Sequence, residues 1–492
     1  MSMILKKSTK LLVLLLCIFA TTFTVFAAPK TKTVLVAEEN VIATQIKAEL
    51  DYIVNSSWTS ENKNSGRWYF IGSTDDIYGA INSNRVPYER FAGWYDWVEP
   101  GTASMGMVGM LQGTNYLYNN GVDISKYNSV IDKFFLTWEL AHGQARNTDS
   151  NSPDFGAFMS RVDYDLYGNY ETSNPNWKTD VTAQMMIANW KYYEYKTSIN
   201  QIANANAWIN NAWQIQKNAA DYLVRMYDTT PAGSINLLPG NSSTAEYSAW
   251  THFASYAVPA LRSASSWAKK VNAPYADYDR VADGLVIGIQ SMKDAGTWHN
   301  YYKFRPYENG VYGAPQYGDS VDQLTFSPYE TGAVSVDAYA GEISDWWTEG
   351  DGGGVKMTYQ SNDSSDWRYF GTRWHYYFDG RAENNYLYPG PGFQLAKVEW
   401  KYGNSTNNST YTDRSQKRLD WAKGTAYSSL WWFATGEIES KIPNGFQDWR
   451  DSNNYSHEAE VWARFVDTSA YFIEVLLMNE TGLDTDYNPI IS

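Results

Sequence analysis

Three features of the sequence predict an all-α fold, a toroid of paired helices with a few short β-hairpins in its loops. Apolar residues recur at helical spacing from one end of the chain to the other once the first 27 residues are set aside. The helical stretches are similar in length, and short and long connections alternate between them, as expected of helix pairs closing into a ring. Strand signals are sparse, with hairpins expected only near residues 356–378.

Taken in order, the chain of 492 residues opens on Lys6, Lys7 and Lys10, then an apolar run from Leu11 to Ala20 and small residues to Ala28. This is the pattern of a signal peptide cut after Val25-Phe26-Ala27. Residues 1–27 are therefore expected to be removed, and residues 28–492 to form one secreted domain. The run is too short to span a bilayer and no later stretch is apolar enough, so no membrane attachment is expected after removal. Cys17 is the only cysteine and leaves with the signal. That rules out disulfides, a cysteine nucleophile and cysteine-based zinc sites in the mature chain.

Glu38 to Ile53 reads as a first helix. Met107, Met110, Leu111 and Tyr118 share a helical face, as do Ile131, Phe134, Phe135 and Trp138, and then Val181, Met185, Ala188 and Tyr192. Trp208, Ala212, Ile215, Ala219, Tyr222 and Met226 form a longer stripe. Further helices are expected near 244–271, 275–293, 320–347, 384–400, 414–436 and 457–478, about eleven in all. Loops rich in Gly, Asn, Asp, Ser and Pro separate them at 145–178, 294–319, 348–366 and 437–456. No linker or appended β module divides residues 28–492, and the absence of a strict repeat argues against an open solenoid.

Composition narrows the partner. The formal charge of −15 becomes −18 when the three lysines of the signal are lost. Phosphate contacts need a basic surface, so nucleic acid is excluded as a partner. Aromatics are 16% of residues, with 22 Trp and 39 Tyr against 19 Phe. Trp and Tyr suit places where one face is apolar and an edge must hydrogen-bond. Sugars offer that pairing, with flat C–H faces ringed by hydroxyls. The aromatics also cluster with Asp, Asn and Gly in loops, as in Trp94-Tyr95-Asp96-Trp97, Trp367-Arg368-Tyr369-Phe370 and Trp374-His375-Tyr376-Tyr377. A carbohydrate substrate is the expected partner of a monomer.

Two segments carry a family resemblance. Glu99-Pro-Gly-Thr-Ala-Ser-Met-Gly-Met-Val-Gly-Met resembles the acidic loop that opens an inner helix in inverting endoglucanases, and Trp177-Lys-Thr-Asp180-Val-Thr-Ala resembles their Asp-capped, sugar-binding helix. The chain thus resembles the six-hairpin, (α/α)6-barrel glycosidase-like superfamily. It departs from those enzymes in lacking a Glu-Gly-x-Gly-Tyr-Gly run and a second acid two residues after Asp180. The resemblance implies an (α/α)6 toroid and a two-carboxylate hydrolysis.

Inversion at a glycosidic carbon needs one protonated and one ionised carboxyl, about 6.5–9.5 Å apart. Glu99 is the expected acid, since the aromatics before it would desolvate it, and Asp96 is its alternative. Glu330, in Phe326-Ser-Pro-Tyr329-Glu330, is the expected second carboxylate, with Asp319 and Asp322 as competitors. Asp180 is either a helix N-cap or a sugar-binding or base carboxylate at the mouth. Asp154, Trp94, Tyr95, Trp97 and Tyr329 complete the expected substrate contacts. The histidines, at 142, 252, 299, 375 and 457, form no ligand pair, so neither metal nor cofactor is expected. Two alternatives remain. One is a polysaccharide lyase using Tyr247, His252, Tyr256 and Arg262; the other is a non-catalytic glycan-binding or surface protein.

Overall fold

The computed structural model describes residues 32–55, 97–164, 170–172, 175–242, 249, 251–294, 307–308, 311–312, 320–321, 323–349, 358, 370–372, 376–377, 386–387, 389–423, 450–451 and 466–490. Residues 1–27 lie outside that set. The chain forms two compact units, residues 1–45 and 46–492. Of the first, the described part is the start of helix α1 (Lys32–Asn55). Among the described residues no helix is long and apolar enough to cross a membrane.

The second unit is a double ring. Its inner helices are α2 (Pro100–Asn119), α4 (Thr179–Ser198), α6 (Thr251–Lys270), α8 (Ser327–Glu330), α10 (Pro389–Thr406) and α12 (Val466–Thr481). Each packs on the next, and α12 returns to pack on α2, which closes the ring. The odd-numbered helices form the outer layer. They are the end of α1, α3 (Ser125–Asp132), α5 (Ile202–Thr229), α7 (Ala276–Asp294), α9 (Ala338–Glu349) and α11 (Ser409–Lys423). Outer helices show the one-sided burial of a surface helix. In α5, Trp208, Ala212, Ala219, Tyr222 and Met226 are buried as the stripe predicts. Inner helices are buried nearly all round; in α4 burial extends from Thr179 to Lys196 with few interruptions.

The closing seam depends on missing side chains. A Cβ on Gly109 of α2 would lie 2.4 Å from the Cβ of Ala470, and one on Gly106 would lie 2.8 Å from Val466. Only glycine lets α2 and α12 approach this closely. Much of the aromatic content is core: Trp138, Trp190, Trp267 and Trp347 are fully buried, and Trp208 and Trp267 meet at 5.0 Å between centroids.

Two boundaries differ from expectation. The helix expected over 320–347 breaks into a 3-10 turn, the short α8 and α9. Gly332 adopts a left-handed φ of +75°, which ends α8 within two residues. Beyond Asp132, α3 winds on as a π-helix from Lys133 to His142 and stops at left-handed Gly143. The 356–378 region holds an isolated bridge, Thr358 to Thr372, while Tyr376–Tyr377 pairs with Ser320–Val321.

The π-helix carries a buried acid. Glu139 Oε1 accepts a hydrogen bond from Asn189 Nδ2 at 2.8 Å. Burial pushes its pKa up to about 7 from 4.5, against the opposing pull of Arg146 and Asn189. A folded pKa above the unfolded one means that folding takes up a proton. The associated stability is present below about pH 4.5 and is lost as pH rises through 7. Glu139→Gln removes this dependence, so urea unfolding should show the variant gaining roughly 3 kcal/mol on the wild type between pH 4 and 8. Parallel stability curves would show that Glu139 does not titrate in that window.

Candidate active site

The inner helices all begin at one end of the barrel. Gly101 of α2 lies against Val181 and Gln184 of α4. Asp180 of α4 faces His252 of α6, and His252 faces Ser327 of α8. Gly390 of α10 lies against Thr468 of α12. Six helix N-termini therefore surround this mouth, and their dipoles favour negative charge there.

Short strands set how the chain reaches it. β1 (Trp97–Val98) pairs with β3 (Val162–Asp163), and β2 (Phe158–Met159) pairs with β4 (Trp177–Lys178). The loop between α3 and α4 is thus stitched to the segments leading into both α2 and α4. Glu99 follows β1 directly and occupies the N-cap position of α2 in an extended conformation, with Pro100 next. Its carboxylate is half-buried and accepts a hydrogen bond from Thr102 Oγ1 at 3.2 Å. It does not cap the helix with its side chain.

Asp180 follows β4. The N-cap residue of α4 is Lys178, so Asp180 sits inside the first turn, which removes the capping alternative. Its Oδ2 lies 3.7 Å from His252 Nε2, while its Oδ1 is shielded and meets no hydrogen-bond donor among the described residues. His252 is held in turn: Nδ1 lies 3.2 Å from Ser327 Oγ, and Tyr256 meets the ring edge-on at 5.1 Å.

Asp154 joins this group. Tyr222 is buried beside both Asp154 and Asp180; burial first, then those two charges, holds its hydroxyl well above the usual range. Arg225 Nη2 donates to Phe155 O at 2.5 Å and keeps the loop in place. Gly156, at φ +90°, packs where a Cβ would lie 2.1 Å from Asn218 O. Asp154 and Asp180 thus meet at Tyr222, and Glu99 stands at the start of α2, whose Gly101 lies against α4. Trp94, Tyr95, Asp96, Asp319 and Asp322 lie outside the described residues, and of Trp97 only the backbone is described.

Two expected residues are elsewhere. Glu330 has no exposed surface. Its Oε1 lies 3.3 Å from Lys397 Nζ and accepts from Tyr487 Oη at 3.1 Å. Lys397 Nζ also donates to Glu474 Oε2 at 2.6 Å. Glu330 is therefore a member of a buried charge cluster and not a group that can reach a cleft water. Tyr329 is likewise buried, and its hydroxyl donates to Asp337 Oδ1 at 2.6 Å. In that cluster burial pushes Glu474 up despite Lys397. Burial works against the Lys397 ammonium, but Glu474 and Glu330 outweigh it and hold the lysine above its ordinary value. Buried Tyr256 and Tyr471 connect this cluster to Gln184 and Asp467 nearer the mouth.

The lyase grouping is not assembled. Tyr256 is 1% exposed. Arg262 lies ten residues along α6 from His252, about 15 Å towards the opposite end. Tyr247 is outside the described residues. The sequence reading passed over His252 as a partner for Asp180, and missed Gln184, Lys397, Glu474 and Tyr487. The one local signal for Lys397 was a charge among Phe393, Leu395, Ala396 and Val398.

No family model matches the chain, and no curated protein does. Solved structures match along nearly its whole length. D-mannose isomerase aligns with a TM-score of 0.56 at 12% identity, covering 94% of this chain and all of that one. Hormoconis resinae glucoamylase aligns at 0.54 and 11% identity, covering 91% of this chain and 75% of its own. A family 15 glucoamylase from Hypocrea jecorina gives 0.53 and 12%, covering 90% and 72%. At such identities the likeness is one of fold: the chain has the (α/α)6-barrel fold of these structures.

Proposed function

We propose that the protein is a carbohydrate-active enzyme, exported with loss of residues 1–27, and that it hydrolyses glycosidic bonds with inversion. The observation that carries this reading is the set of half-buried carboxylates, Glu99, Asp180 and Asp154, at the mouth formed by the inner-helix N-termini. Glu99 protonates the leaving oxygen. Asp180, with an oxygen to spare, takes a proton from the attacking water. His252 and Ser327 orient Asp180, and Asp154 holds a sugar hydroxyl. Trp94, Tyr95 and Trp97 supply the platform on which the sugar ring lies. The glucoamylases among the similar structures support the reaction class.

A second reading is a sugar isomerase. The carboxylate–imidazole pair of Asp180 and His252, 3.7 Å apart, could lift a proton from C2 of an aldose and return it to C1. The similar D-mannose isomerase supports it. One experiment separates the readings: incubation with a glycan panel and with free aldoses in heavy water, followed by mass spectrometry. Hydrolysis yields shorter products that have gained water. Isomerisation yields a ketose carrying deuterium. Unsaturated ends would mean a lyase, and no products at all a binding protein. His252→Gln should lower hydrolysis about tenfold by loosening Asp180, but should abolish isomerisation.

A further inference from the structure

At the opposite end of the barrel one inner helix is cut short. α8 has 4 residues, against 16–20 in the other five inner helices. The space its missing turns would fill is only partly occupied by the C-terminal tail. A cleft of about 1110 Å³ remains, bounded by α6, the second half of α7, the α8–α9 link, the last turns of α10 and residues 484–488. Lys401 at its edge caps the abrupt end of α8, donating to the carbonyls of Tyr329 and Glu330 at 3.2 and 3.1 Å.

The lining has two characters. Trp400, half-exposed, and Ile287, 57% exposed, give an apolar wall open to solvent. Arg262, Gln290, Asn404 and Asn488 bring hydrogen-bonding groups to the same cleft. Arg262 makes one hydrogen bond, from Nη1 to Asn488 Oδ1 at 3.2 Å, and has no carboxylate partner among the described residues. Its remaining N–H groups leave it with donors to offer a ligand. The charges around the cleft, Arg262 and Lys401 against Asp294, Asp484 and Asp486, leave a slight negative excess. An anionic ligand is disfavoured, as is an apolar one among so many amides. An indole beside an arginine and neutral amides suits the C–H face and hydroxyls of a neutral sugar.

We propose that this cleft is a second, non-catalytic site for a neutral oligosaccharide, at the far end of the barrel from Glu99 and Asp180. The proposal rests on the carbohydrate reading of the mouth. Such a site would hold a polymer to the enzyme without taking part in the reaction. The test uses full-length protein carrying Glu99→Gln, titrated calorimetrically with maltohexaose, cellohexaose, xylohexaose and mannohexaose. Two binding events are expected for at least one probe. Adding Trp400→Ala should remove one of them, weakening it at least tenfold, and leave the other unchanged. Ile287→Asp, at an exposed position that tolerates charge, should do the same and guards against misfolding of the Trp400 variant. In the otherwise wild-type enzyme Trp400→Ala should leave turnover of a short chromogenic glycoside within twofold. A single binding event that survives both substitutions overturns the proposal and leaves the mouth reading intact. No binding of any probe, with no turnover of any glycan, overturns the reading of the mouth and the proposal with it.

Discussion

Lys397→Met should destabilise the fold by about 3–5 kcal/mol, because it strands Glu330 and Glu474 in the interior without a cation. Lys397 is fully buried, with its ammonium against both glutamates and 4.3 Å above the ring of Tyr487. Met preserves the stem and the volume, so loss of packing is a minor part of the effect. What remains is two acids sharing one tyrosine hydroxyl, at 3.1 and 3.2 Å. Both would have to be protonated to fold. The loss should therefore shrink as pH falls through the carboxylate range. Adding Glu330→Gln and Glu474→Gln should restore much of the stability, since a neutral polar cluster need not be balanced. Denaturant unfolding at pH 5 and pH 8 measures both effects. A Lys397→Met protein as stable as the wild type at pH 8 would mean that the glutamates fold uncharged, and that the cluster is not an ion pair.

Glu99→Gln should lower turnover on the order of a hundredfold or more while the variant still binds its glycan. Glutamine keeps an acceptor for Thr102 Oγ1, and Glu99 makes no side-chain cap, so the melting temperature should stay close to the wild-type value. Asp180→Asn should be as damaging, since it removes the proposed base, 3.7 Å from His252. Measuring kcat and KM separately decides the assignment: both losses should fall on kcat. Normal turnover in Glu99→Gln moves the acid elsewhere, with Asp96 the next to replace. Normal turnover in both variants removes the chemistry from the mouth altogether.

The outer helices were legible in the sequence because each has one buried face. The stripe from Trp208 to Met226 in α5 is a clear example. Inner helices bury polar and apolar residues on every side, and periodicity then marks only their existence. In α4 the buried set includes Asn189, Lys191, Glu194 and Lys196 alongside Met185 and Trp190. Asp180 was seen, but its partner was not, because His252 lies 72 residues away on another helix. Glu330 was misread for a physical reason. A proline followed by Tyr-Glu marks a helix start, but cannot reveal that Lys397, Glu474 and Tyr487 converge on that glutamate from three later segments. Part of the aromatic surplus is core: Trp190 and Trp267 pack inside, and composition alone could not say which rings would.

The seam between Gly109 and Ala470 sets an order of events during synthesis. The first inner helix closes on the last, roughly 360 residues later. Below that seam Tyr487 completes the interior, and Asn488 donates to Gly332 O at 2.7 Å. At ribosomal speeds of about 5–20 residues per second, α2 waits roughly 20–70 s for its neighbour. Throughout that interval the edge of a half-built ring is open along Gly106, Gly109 and Gly113 of the waiting helix. A nascent chain of this architecture cannot bank its stability hairpin by hairpin, as a linear stack of repeats can. Its early hairpins keep an unpaired edge until α12 has been made.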